Sequence, residues 1–244
     1  MNLQRYLYDV ANARRRELIP TIYHWCQGQV QTGPFTGLVV VPNFMWGDGD
    51  VTGKLLGVYE DELHAAIEAA IAANPDLVIN VGSAEGYYAT GLARRLPQAR
   101  VIAADLESAA HEIVKINCEA NGITNVHTHG GVDPESLASL LREGARSLIV
   151  SDCEGYESVL LDPVQVPALA EAWILVETHD CLDPGITERI ADRFSATHRI
   201  TKIEQSGKDP YQFEFLRTLS DCDKWCLVHE GRPETGYWLW MEPQ

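Results

Sequence analysis

The sequence predicts an α/β fold: a Rossmann-like, doubly wound, mostly parallel seven-stranded sheet with helices on both faces, preceded by a helical N-terminal appendage. Two observations predict it. From Asp76 onward, short β-branched apolar runs alternate with stretches of helical spacing, and such alternation implies right-handed βαβ units around a parallel sheet. The early runs are also nearly continuously apolar, as strands buried on both faces are.

The strands are expected at "LVIN" (77–80), "RVIAAD" (100–105), "NVHTHG" (125–130), "SLIVSD" (147–152), "AWILVET" (172–178), "HRITKIEQ" (198–205) and "GYWLWME" (236–242). Helical spacing fills the gaps between the first six: "GYYATGLARRL", "SAAHEIVKINCEANG", "PESLASLLREG", "YESVLLDPVQVPALAE" and "PGITERIADRFSAT". Pro134 and Pro184 mark helix starts, whereas Gly122 and Gly144 mark helix ends. Upstream, residues 3–29 read as helix, 36–43 ("TGLVVVPN") as a strand, 45–54 ("MWGDGDVTGK") as a turn-rich loop and 59–75 as a helix stopped by Pro75. This divides the chain into an appendage over 1–58, a possible lid, and a main domain over 59–244. Residues 206–235 form an irregular insertion carrying a helix at Cys222 and Cys226. Trp238 and Trp240 share one face of the last strand, as core residues would. Trp25, Trp46 and Trp225 lie outside the alternating elements, where packing of the appendage is the default.

Composition narrows the function. The 244 residues carry a net charge of −16, which argues against nucleic acid as a partner. "RRR" at Arg14–Arg16 is the one basic run and reads as a solvated helix face. No apolar run reaches the ~18 residues of a membrane span, and the N-terminus lacks a secretory leader. Six scattered cysteines read as reduced thiols of a cytoplasmic protein.

Chemistry is expected where the first strand turns into a helix, because open parallel sheets bind ligands beyond the carboxyl ends of their strands. That turn reads Gly82-Ser83-Ala84-Glu85-Gly86. A dinucleotide fingerprint would need a glycine at Ala84, and Glu85 would set a carboxylate beside a diphosphate. Both features count against an NAD-dependent oxidoreductase, and a P-loop's Lys-Ser/Thr is absent. S-adenosylmethionine approaches a backbone closely without a phosphate, and its sulfonium tolerates a nearby carboxylate. The second strand ends on Asp105, 23 residues after Gly82, placed to accept both ribose hydroxyls. Leu106 adjoins it. After the third strand, Gly131, Val132 and Asp133 border the place of the adenine, although Asp133 also suits a helix cap.

"VINVGSAEGYYATGLA" resembles the first motif of the class I S-adenosylmethionine-dependent methyltransferases. Gly82 and Gly86 match its glycines, and Asn80 stands in place of its usual leading acid, leaving open how the amino end of the cofactor is held. "DCEGYE" (152–157), the lead-in "GVYEDEL" and the acid ending the fifth strand resemble, more narrowly, the FkbM-type methyltransferases, over roughly residues 55–180. The resemblance implies methylation of a hydroxyl oxygen on a small molecule or sugar.

A hydroxyl acceptor needs a base or a metal to become nucleophilic. Two strand ends supply candidates: Asp152 and Glu154 after the fourth strand, and Glu177, His179 and Asp180 after the fifth. His179 is the candidate base, with Asp152 and Glu154 as catalytic neighbours and Asp152 also beside the cofactor. Alternatively Asp152, His179 and Asp180 can bind a divalent cation that holds the acceptor oxygen. The rival reading is a protein that binds S-adenosylmethionine or a nucleoside without transferring a group.

Overall fold

The computed structural model describes residues 3–42, 50–232 and 234–244. Helix α1 (Leu3–Cys26) opens the chain and continues through Pro20. After it come α2 (Val51–Leu56), a single 3₁₀ turn at Asp61–Leu63 and α3 (His64–Ala72). The main alternation follows as β1 (Leu77–Val81), α4 (Tyr87–Arg95), β2 (Arg100–Ala104), α5 (Ser108–Asn121), β3 (Val126–His129), α6 (Pro134–Leu141), β4 (Ser147–Ser151), α7 (Glu157–Leu160) and β5 (Trp173–Thr178). The last elements are α8 (Ile186–Phe194), β6 (His198–Glu204), α9 (Asp221–Val228) and β7 (Tyr237–Pro243).

The sheet has the order β3-β2-β1-β4-β5-β7-β6. Its β1, β2, β3, β4 and β5 pair in parallel, and β7 runs antiparallel between β5 and β6. This is the expected Rossmann-like, mostly parallel seven-stranded sheet. Strand order reverses between β1 and β4, so a crevice opens at their carboxyl ends. Every residue of β1 is buried. Val78 faces one core with Leu148, Val150, Trp238 and Trp240, joined by Ile22, Phe35 and Leu55 of the N-terminal segment. Leu77, Ile79 and Val81 face the other, with Leu137, Leu160 and Ile190 of the helices beyond. A buried aliphatic side chain contributes about 1.5–3 kcal/mol, so this two-sided burial holds β1, and the turn after it, in place.

Five local expectations are corrected. In place of the strand expected over 36–43, the described residues 36–42 have one isolated bridge, Gln29 to Val39. Side chains of α5 take the place of a partner strand: Asn121 accepts from Val39 N at 2.8 Å and donates back to its carbonyl, and Asn117 accepts from Val41 N at 3.0 Å. The helix over 59–75 starts late because Glu60 adopts a left-handed conformation, φ 49°. The stretch 156–171 breaks into α7 and a 3₁₀ turn at Pro167–Glu171, since Pro163 and Pro167 cannot continue a helix. Arg14–Arg16 is not uniformly solvated: Arg15 is buried and donates to Asn12, while Arg14 pairs with Asp223 of α9. Of the expected 45–54 loop, 45–49 with Trp46 lie outside the described residues, and the part from Val51 onward is helical, in α2. Trp25 packs against Phe215 with ring centroids 5.2 Å apart, whereas Trp225 is exposed beside Tyr211.

Candidate functional site

The turn after β1 is shaped first by the protein itself. Gly82 has φ +73°, and a Cβ there would lie 1.6 Å from the carbonyl oxygen of Asp152. A side chain would therefore collide with the backbone leaving β4. Gly86 has φ +84° and passes close to Val114 of α5, which a Cβ would meet at 2.8 Å. Between them Ala84 also has positive φ, 45°, a conformation uncommon outside glycine. Asp105 pins this strained residue: one carboxylate oxygen accepts from Ala84 N at 2.8 Å and the other from Glu107 N at 2.9 Å. Each oxygen keeps a second lone pair for a hydroxyl.

A cavity of about 790 Å³ opens beside the turn, lined by Gly82, Ala84, Glu85, Asp105, Leu106 and Val132 among others. Its size suits a nucleoside cofactor. Gly131 lets the loop after β3 close on Leu106, since a Cβ there would stand 2.4 Å from that side chain. Asp133 also borders the cavity, but one of its oxygens caps α6 by accepting from Ser136 N and Oγ at 2.8 and 2.6 Å. Those bonds hold its carboxyl below the usual carboxylate range.

Three expected contacts do not reach the cavity. Asn80 is 2% exposed; its Nδ2 lies 3.4 Å from the Val150 carbonyl and its Oδ1 has no hydrogen-bond partner. It shares the face of Val78, turned into the core. Ser83 is buried with an unpartnered Oγ, and Gly86 sits beneath the turn against α5. The reading of Glu85 as a bare carboxylate is also corrected. Glu85 forms a buried ion pair with Lys54 of α2, which lines the same cavity, so its weight against a diphosphate ligand is reduced.

A second cavity, about 370 Å³, continues past the ends of β4 and β5. Both cavities are bordered by Asp50, Tyr59, Asp152 and Glu154. His179 stands at this junction. Its Nδ1 is 2.9 Å from Glu157 Oε1, and its Nε2 is 3.5 Å from Asp152 and 3.6 Å from Glu154. Glu157 is fully buried and also accepts from Cys153 N at 3.0 Å. Burial pushes the Glu157 carboxyl up, but the His179 hydrogen bond and charge and the backbone N–H bonds together bring the net direction down. Burial lowers the His179 pKa, while the Glu157 bond and the Asp152 and Glu154 charges carry it above its ordinary value. Burial moves Asp152 up to about 6, against the opposing pull of His179.

Asp180 is not part of this group. Its carboxylate accepts from Gly185 N at 2.9 Å and from the Thr187 hydroxyl, closing the turn into α8. The expected cation set of Asp152, His179 and Asp180 is therefore not assembled; Glu154 is the third donor near the other two, with ligand atoms within 4.8 Å of one another.

The rim of the second cavity is acidic, with Glu177, Glu230 and Glu234 joining Asp152 and Glu154. Arg232 crosses it and pairs with Glu60, Glu177 and Glu230. Burial drives Glu60 up to about 8, against Arg232, and Tyr88 donates to it. Lys54, Glu60 and Arg232 escape sequence reasoning because each meets a partner across 28 residues or more, even though Arg232 also pairs locally with Glu230. Glu157 was visible only as part of "DCEGYE".

No protein-family model and no curated protein sequence matches the chain. Solved structures of similar fold include a precorrin-6y C5,15-methyltransferase from Geobacter metallireducens GS-15, at 13% identity and TM-score 0.49, covering 75% of this chain and 88% of that one. Another is an rRNA methylase from Streptococcus thermophilus, at 12% identity and TM-score 0.48, covering 75% and 96%. Among the described residues no helix is long and apolar enough to cross a membrane.

Proposed function

We infer that the chain is an S-adenosylmethionine-dependent methyltransferase that methylates a hydroxyl oxygen of a small molecule. The observation that carries this reading is the junction of the two cavities at Asp152 and Glu154, with His179 oriented toward it. Gly82, Ala84 and Asp105 border the cavity on the cofactor side, and Leu106, Gly131 and Val132 offer the base an apolar wall. When bound, the cofactor supplies an electrophilic methyl group.

The chain's own residues supply alignment and a proton acceptor. Glu157 fixes the His179 ring through Nδ1, leaving Nε2 to take the acceptor's proton. The acidic rim repels phosphates and carboxylates, so the acceptor is neutral or cationic there. The resemblance to FkbM-type enzymes and the net charge of −16 support a small hydroxyl compound over nucleic acid. All six thiols are free, which supports a cytoplasmic setting.

Assay of S-adenosylhomocysteine release against hydroxyl-bearing acceptors tests the reading. His179→Ala is expected to lower kcat by roughly 10²–10⁴-fold with cofactor affinity unchanged. Because His179 must be neutral to act, the rate should rise with pH through an apparent pKa above roughly 6.5. EDTA should leave it unaltered, because the proton goes to His179. Binding of S-adenosylmethionine with no product from any acceptor would instead favour a non-catalytic binder, and affinity for NAD alone would return the oxidoreductase reading.

A further inference from the structure

Asn80 replaces the acid that would meet the amino end of the cofactor, and the fold turns Asn80 into the core. A buried ion pair borders the cavity instead. Lys54 Nζ and Glu85 Oε1 are in contact, and their side chains are only 10% and 7% exposed. Lys54 also lies 4.6 Å from the centroid of the Tyr59 ring, and Tyr59 borders both cavities. The pair therefore stands on the side of the junction. Leu106, Gly131 and Val132 follow β2 and β3, on the opposite side of the turn.

Burial opposes both charges, yet the opposing contributions together prevail: Glu85, Asp50 and Glu60 hold Lys54 above its ordinary pKa, and Lys54 with a backbone hydrogen bond holds Glu85 below. A charged pair buried in this way is weak support for stability, and its two ends offer opposite charges to whatever enters. We propose that Lys54 and Glu85 together receive the zwitterionic amino-acid end of S-adenosylmethionine, Lys54 taking the carboxylate and Glu85 the ammonium. The proposal rests on the methyltransferase reading and deepens it. A zwitterion matches the pair charge for charge. A diphosphate could occupy Lys54 but brings no cation for Glu85, and a plain nucleoside would leave the two residues bonded to each other. The pair thus selects the cofactor by its amino-acid end, from residues that the glycine motif does not include as a unit.

Calorimetry on the full chain tests this with S-adenosylhomocysteine and 5′-methylthioadenosine, which share the nucleoside and thioether and differ in the amino-acid end. The wild-type protein is expected to bind S-adenosylhomocysteine at least roughly tenfold more tightly. In the double variant Lys54→Met with Glu85→Gln, which leaves no lone buried charge, that advantage should shrink to about twofold or less while methylthioadenosine affinity holds. Should the variant fail to fold, the decarboxylated analogue of S-adenosylhomocysteine on wild-type protein serves: it keeps the ammonium, lacks Lys54's partner and should bind more weakly. Equal binding of S-adenosylhomocysteine and either truncated analogue, or an advantage that survives the double substitution, overturns the proposal alone. Failure of S-adenosylhomocysteine and methylthioadenosine alike to bind wild-type protein overturns the cofactor reading, and the role of the pair with it.

Discussion

Asp152 faces opposite demands. Its backbone joins the end of β4 to β1 through a bond to the Val81 carbonyl, while its side chain reaches the junction of the cavities, where Oδ1 lies 3.5 Å from His179 Nε2 and accepts no hydrogen bond from the described residues. Burial raises its pKa to about 6, above the roughly 3.9 of an unfolded chain. The folded state then binds the proton more tightly than the unfolded state. Its contribution favours folding below about pH 4 and is lost as pH rises through about 6. Asp152→Asn should therefore stabilise the protein at pH 8 by about 1–2 kcal/mol and change little at pH 4. Urea unfolding at the two pH values measures this, and an equal shift at both would contradict it. Asp105 makes the opposite kind of prediction. Asp105→Ala leaves the Ala84 amide without its acceptor and removes the expected ribose contact, so affinity for S-adenosylhomocysteine should fall by about 1–3 kcal/mol in a calorimetric titration.

The turn between β1 and α4 shows how an element can be readable for one reason and built for another. Its glycines point to a close-approaching ligand, yet the structure sets the β4 backbone against Gly82 and Val114 against Gly86. Gly82→Ala should destabilise the fold by more than about 3 kcal/mol, combining a backbone clash with positive φ. Gly122→Ala, at a helix end where nothing stands within 4 Å, should lose only about 1–2 kcal/mol; paired thermal melts compare the two. All seven strands were legible in the sequence, the buried β1, β2, β4, β5 and β7 and also β3 and β6, which are mostly not buried. Residues 36–43 misled because two asparagines of α5 satisfy that backbone, and side-chain pairing leaves no periodic trace. The same division runs through the site. That Asp152 and His179 stand side by side was legible because both follow the ends of neighbouring strands, whereas Lys54 and Arg232 reach the cavities through contacts between distant parts of the chain. Asp180 misled because a carboxylate after a strand can equally well close a turn.

At the scale of the molecule, charge fastens the segment between β6 and β7 to the rest. Lys208 is buried among Asp61, Glu62 and Glu230, and Arg232 continues the chain of pairs to Glu60 and Glu177. Removing Lys208 leaves the buried Glu62 side chain without its ion-pair partner and takes one of two from Glu230, so Lys208→Met should cost about 3–5 kcal/mol in denaturant titrations. The same variant should loosen the wall of the second cavity, because Glu230 lines it. The position of β7 reaches beyond the folded state. The strand that separates β5 from β6 is the last of the seven in sequence. During synthesis those two strands have no neighbour between them until Tyr237 and its successors leave the ribosome. Chains halted before that point would display bare backbone along both borders of the gap and invite association with one another.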